Sequence, residues 1–132
     1  MQKIILAYNF TPERLQALKL ICMMLRTQLR AVTREELLQP VGYLAGLPEV
    51  ASVSEAYSGD EGQEEMLLMC GFSRQDLARL PDGLRAAIKK GKLRQVALKA
   101  MLTPTNCTWS GLQLLQELSQ EHAYMHGKNA GK

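Results

Sequence analysis

"KIILAYNFTPER", residues 3–14, is the stretch on which the fold of this chain turns. Its first part is short, apolar and rich in strand-favouring residues, which predicts a buried strand over residues 3–10. Its second part is a helix start. Thr11 is a good N-cap, and Pro12 suits the first helical position, where its missing N–H costs nothing. Leu15, Leu18, Ile21, Cys22 and Leu25 then recur at three- and four-residue intervals and share one face of a helix running to about Arg26. "TQLRAV" follows as a second, shorter strand, which completes a βαβ unit.

The same design returns in "EEMLLMCGFSRQDLARL", residues 64–80, where Phe72 and Ser73 stand as Phe10 and Thr11 stood. With an offset of 62, Leu6 matches Leu68, Phe10 matches Phe72, Leu15 matches Leu77 and Leu18 matches Leu80, which suggests an internal repeat. Pro81 predicts a kink or a break in the second helix, "DGLRAAIKK" continues it, and Gly91 stops it. "LRQVALKAML", residues 93–102, supplies a fourth strand.

Two βαβ units in series predict a four-stranded sheet with both helices on one face, because each crossover is right-handed. The expected class is α/β (α+β), of ferredoxin-like type, with the strand order left open. A last helix, from about Cys107 to Met125, carries Leu112, Leu115, Leu118 and His122 on one stripe and is expected to cover the open sheet face or an edge. Residues 127–132 read as a flexible tail. The 132 residues make a single domain, long enough to bury about two thirds of the surface of the unfolded chain.

The connection between the units, residues 33–63, opens with a capping box, "TREE", pairing Thr33 with Glu36. "EELLQPVGYLAGL" is apolar enough for short helices, and "PEVASVSEAYSGDEGQ" reads as an exposed acidic loop. Between Arg34 and Arg74 there is no Lys or Arg, while eight acidic residues lie there (Glu35, Glu36, Glu49, Glu55, Asp60, Glu61, Glu64 and Glu65). All 16 basic residues lie outside that interval, so the net charge of +3 conceals an acidic insert in a basic frame. The insert reads as a solvated loop, a flap over the basic frame that an anionic ligand displaces, or a surface for a basic partner. "SGDEGQEE" lacks the alternating Asp/Asn ligands of a calcium loop.

Cys22, Cys70 and Cys107 are odd in number and far apart, which disfavours a disulfide framework or a zinc ribbon and points to a reducing cytoplasm. The N-terminal apolar run is too short for a signal h-region, and no run approaches the roughly 20 residues of a membrane span.

The ordered set of "AYNFTPERLQAL", "QPVGYLAGLP", "EEMLLMCGFSRQDL", "VALKAMLTPTN" followed by Trp109, and "ELSQEHAYM" resembles a small bacterial family of domains of unknown function, numbered three-seven-eight-three. The resemblance extends over nearly the whole chain, with "LTPTN" and "EH" its most distinctive parts. It implies a free-standing cytosolic bacterial domain and, having no assigned activity, carries no catalytic residues over.

Four candidate sites remain. In "LTPTNCTWS", residues 102–110, Pro104 ends a strand, Thr105 or Asn106 can cap the last helix, and Trp109 falls in its first turn. The alternative to plain capping is an anion site formed by Thr103, Thr105, Asn106 and Thr108 at that helix start. Cys107 in the same turn is a candidate reactive thiol, though no His or Lys adjoins it. His122 and His126, four apart, have a spacing that can chelate a metal, but Ala123 stands where a zincin has Glu. Arg85, Lys89, Lys90, Lys92, Arg94 and Lys99 form a basic stretch over 85–99; with no interleaved aromatic, a solvated helix end fits it better than nucleic acid. No cofactor motif is present. These features together favour a cytosolic, non-catalytic module binding a small anionic ligand or a protein, with an enzyme at the Thr103–Trp109 turn or a nucleic-acid binder as alternatives. Open sheet edges leave room for a homodimer.

Overall fold

The computed structural model describes residues 2–89 and 98–130, with side chains described through residue 82, at 85 and over 98–121. The first unit consists of β1 (Ile4–Tyr8), α1 (Pro12–Met24) and β2 (Gln28–Val32). The second consists of β3 (Met66–Cys70), α3 (Arg74–Lys89) and β4 (Leu98–Met101). Between them lie a 3-10 helix (Arg34–Leu38) and the single turn α2 (Val41–Leu44), and the chain closes with α4 (Gly111–Ala130).

Both helix starts behave as the sequence predicts. The Thr11 hydroxyl accepts from the Arg14 amide, and Pro12 opens α1. At α3 the box is reciprocal: the Asp76 amide donates to Ser73 Oγ at 3.2 Å, and the Asp76 carboxylate accepts from the Ser73 amide at 2.9 Å. The expected break at Pro81 is absent, since α3 runs through it. Proline removes only the rung from Leu77, and the buried neighbour Leu80 anchors that turn on the core. The predicted stop at Gly91 and the start of the fourth strand at 93–97 lie outside the described residues.

The sheet order is β2-β1-β3-β4. β1 and β2 are parallel, β1 and β3 antiparallel, and β3 and β4 parallel. The chain is thus a mixed α+β protein with a four-stranded sheet made of two βαβ units in series. Each unit keeps its parallel strands adjacent, whereas a split βαβ unit places another strand between them. Leu6 lies opposite Leu68, the two residues that the 62-residue offset also equates. The repeat is therefore a local two-fold whose axis passes through that pair. Asn9 (φ 65°) and Gly71 (φ 73°), again 62 apart, make the same left-handed exit from β1 and β3.

Alternation along the strands divides the core. Ile5, Ala7, Leu67 and Met69 face α1 and α3, where they meet Leu18, Ile21 and Leu80. Leu6, Tyr8, Met66, Leu68 and Cys70 face the other way, towards the 3-10 helix, α2 and α4. Both helices of the repeat thus share one face, and α4 covers the open face through Leu114 and Leu115. α4 begins at Gly111 rather than near Cys107, and it runs through 127–130, part of the segment expected as a tail; 131–132 lie outside the described residues.

Candidate functional site

The turn at 102–110 is not a helix start. Asn106, buried, closes it: its Oδ1 accepts from the Thr103 amide at 2.9 Å, its Nδ2 donates to the Met101 carbonyl at 2.9 Å, and its own amide donates to Thr103 Oγ1 at 3.1 Å. The Cys107 and Trp109 amides donate to the Thr103 and Asn106 carbonyls. Ser110, not Thr105 or Asn106, caps α4, its hydroxyl accepting from the Gln113 amide. The turn's carbonyls instead receive α2: Val41 N–H donates to Trp109 O and Gly42 N–H to Cys107 O, both at 2.8 Å. Of the four residues proposed for an anion, Thr103, Thr105 and Thr108 are exposed, and Asn106 faces inward.

Cys107 sits in that turn with its thiol 3.4 Å from the Pro104 carbonyl. Burial pushes the Cys22 thiol up to about 11 and the Cys70 thiol up to about 12, so both stay protonated at neutral pH. No group of three or more His, Cys, Asp or Glu side chains that could hold a metal occurs among the described residues. The His122 and His126 side chains lie outside them, as do Lys90, Lys92 and Arg94 of the basic stretch. No helix among the described residues is long and apolar enough to cross a membrane.

The acidic connection is pinned across the ends of β1 and β2. Asn9 Nδ2 donates to the Gly62 and Glu64 carbonyls at 2.7 and 2.8 Å. Arg34 holds it more firmly: Nη1 donates to Asn9 Oδ1 (3.1 Å) and Gly62 O (2.7 Å), and Nη2 to Gly59 O (3.2 Å) and Glu61 O (2.8 Å). The guanidinium also stacks over the Tyr57 ring, 5.5 Å from its centroid. Arg14 of α1 pairs with Glu65 through both carboxylate oxygens. Farther along, Asp60, Glu61 and Glu64 face Gln116, Ser119 and Gln120 of α4 across an open acidic cleft of about 710 Å³.

A second hollow, of about 430 Å³, lies beyond the carboxyl ends of β1 and β2. Phe10 and Leu15 form one wall, Ala7 and Ala31 its floor, and Thr33 and Arg34 its rim. The floor is low because Ala7 and Ala31 are register partners. Under the two-fold, the partners in the second unit are Met69 and Met101. Two methionines stand there where two alanines stand here. This crevice was missed by sequence reasoning. The offset of 62 pairs Ala7 with Met69, but β2 and β4 follow helices and turns of different length, so nothing in the sequence aligns Ala31 with Met101.

Near the rim, Glu36 accepts from the Thr33 amide (3.1 Å) and from Arg30 (2.7 Å). Partial burial alone would raise its pKa, but those bonds outweigh it and hold the carboxyl below the usual range. Tyr8 ends β1 on the opposite face; its hydroxyl is buried and has no hydrogen-bond partner among the described residues. Burial first, then the proximity of Cys70 and Glu36, pushes its pKa well above the ordinary tyrosine value.

No curated protein and no solved structure matches the chain. Residues 65–125, from the approach to β3 through most of α4, match the model of the family described as Domain of unknown function (DUF3783), the family that the chain's motifs resemble.

Proposed function

We propose that this protein is a non-catalytic binding module of the reducing cytoplasm and that its ligand, a small molecule, sits in the crevice floored by Ala7 and Ala31. The observation that carries this reading is the asymmetry of an otherwise repeated register: Ala7–Ala31 in one unit, Met69–Met101 in the other. A hollow against the carboxyl ends of parallel strands is also where open α/β sheets commonly take ligands. Three unpaired thiols, two of them buried, accord with a reducing compartment. Among the described residues, no nucleophile–base pair lines the crevice, which favours binding over catalysis.

Copying the second unit tests the reading. Ala31 is exposed, so Ala31→Met fills the crevice from its open side without crowding the core. A panel of small metabolites followed by thermal shift is expected to give binders for the wild type that Ala31→Met loses, while its own unfolding midpoint stays close to wild type. Binders that Ala31→Met retains place the site elsewhere. A flat response across the panel turns the weight to protein partners. For those, the outward face of α1 offers Leu20, Met23 and Met24, the last two 70% and 76% exposed.

A further inference from the structure

Resting on the crevice reading, we infer that the ligand is a small organic anion with an apolar body, its charged head at Arg34 and its body against Phe10, Leu15 and the Ala7–Ala31 floor. Four Nη donors of Arg34 are taken by three backbone carbonyls and one amide oxygen, all neutral acceptors. The arginine ion pairs nearby are matched charge for charge: Arg14 with Glu65 and Arg30 with Glu36. Among the described residues, no carboxylate lies within ion-pair distance of Arg34. Its guanidinium is therefore held, half buried, by neutral acceptors on the rim of a hollow whose lining includes the apolar Phe10, Leu15, Ala7 and Ala31.

A guanidinium fixed in advance by neutral dipoles loses little freedom when an anion arrives, and its charge is not quenched beforehand. Among the described residues, Nε–H is the one donor of Arg34 without an acceptor in that lattice. Thr11, whose hydroxyl accepts from the Arg14 amide, also lines the hollow. Opposite the head, Phe10 and Leu15 present only carbon, so a hydrated inorganic anion gains nothing from them. A carboxylate on a short aliphatic or aromatic body satisfies both halves.

The test uses the full chain and matched probes, the straight-chain carboxylates from butyrate to octanoate, their neutral amides, the corresponding amines and inorganic phosphate. Affinity is measured by calorimetry at low and moderate salt. The carboxylate is expected to bind at least about tenfold more tightly than its amide, the increment of a charge-assisted over a neutral hydrogen bond. Affinity is expected to rise with chain length until the crevice is filled and to fall with salt. Amides or amines binding as well as carboxylates would overturn the anionic class while leaving the crevice reading intact. Phosphate binding as tightly as the longer carboxylates would overturn the apolar half. No binding by any probe, together with a flat metabolite panel, would overturn both readings. Arg34→Gln is expected to bring the carboxylate-to-amide ratio towards one, and Arg34→Lys to keep a preference for the acid. If Arg34→Gln loosens the acidic connection, the ratio and salt dependence on wild-type protein still decide.

Discussion

The Tyr8 hydroxyl is a polar group shut off from solvent. The residue is 1% exposed, it belongs to the core between the sheet and α4, and its hydroxyl has no partner among the described residues. A buried hydroxyl without a hydrogen bond loses its hydration and receives nothing in return, at a cost of about 1–3 kcal/mol. Tyr8→Phe keeps the ring against its neighbours and removes that cost. It is expected to raise stability by about 1 kcal/mol, read as a higher urea midpoint with an unchanged slope. A loss of stability would mean that the hydroxyl has a bonding partner. Asp76 is the opposite case, a surface carboxylate fully partnered. Bonds from the Ser73 amide and from Lys3 hold its pKa at about 2, below the ordinary 3.8. A carboxyl whose folded pKa is depressed stabilises the fold above its unfolded value, and that contribution fades as pH falls from near 4 towards about 2. The advantage of wild type over Asp76→Asn in urea midpoint is therefore expected at neutral pH and to shrink across that acidic window. An advantage that stays constant down to about pH 2 would remove the linkage.

The turn at 102–110 and α2 hold one another. Four-residue α2 is too short to stand alone, and its first amides are satisfied by the carbonyls of Cys107 and Trp109. The approach is close enough to require glycine: a Cβ on residue 42 would lie 2.6 Å from Cys107 O and 3.0 Å from Val50 Cγ2. Gly42→Ala is expected to force the two segments apart, costing about 1–3 kcal/mol and shifting the emission of Trp109 to the red as its packing loosens. Unchanged emission and midpoint would show that the backbones can separate freely. This contact also explains what was legible in the sequence and what was not. At α1 and α3, the cap, the proline or acid in the first turn and the apolar spacing all refer to neighbours within one turn, so they could be read. Thr103 and Asn106 exchange the same local side-chain-to-amide bonds that a capping residue makes, and the segment reads as the start of α4 with Thr105 or Asn106 as its cap. The difference lies in the partner 65 residues away in the chain, Gly42 receiving no help from its own helix and finding Cys107 instead. The crevice was hidden for the same reason, since Ala7 and Ala31 acquire meaning only once their register is known.

The two βαβ units are joined through their inner strands, and the joint is where the fold's cooperativity resides. Every residue of β3 is buried, and its neighbours are β1 on one side and β4 on the other. Both core layers cross the local two-fold. Ile5 and Ala7 share one layer with Leu67 and Met69, while Leu6 and Tyr8 share the other with Met66 and Leu68. The first half also supplies the amides that the 102–110 turn receives, and Lys3 reaches the α3 cap at Asp76, 3.0 Å away. Separating the chain at residue 63 therefore bares one edge of each inner strand and opens both layers at once. A piece of that length seldom builds a core worth more than about 3–5 kcal/mol by itself. Fragments 1–63 and 64–132, made separately, are expected to show little cooperative unfolding, and the second to show solvent-exposed Trp109 emission. Mixed in equal amounts, they are expected to regain the near-ultraviolet dichroism and Trp109 emission of the whole chain, because the β1–β3 pairing needs no covalent link. A native-like, cooperatively unfolding 64–132 fragment would instead make the second unit a self-sufficient domain and the first an addition to it.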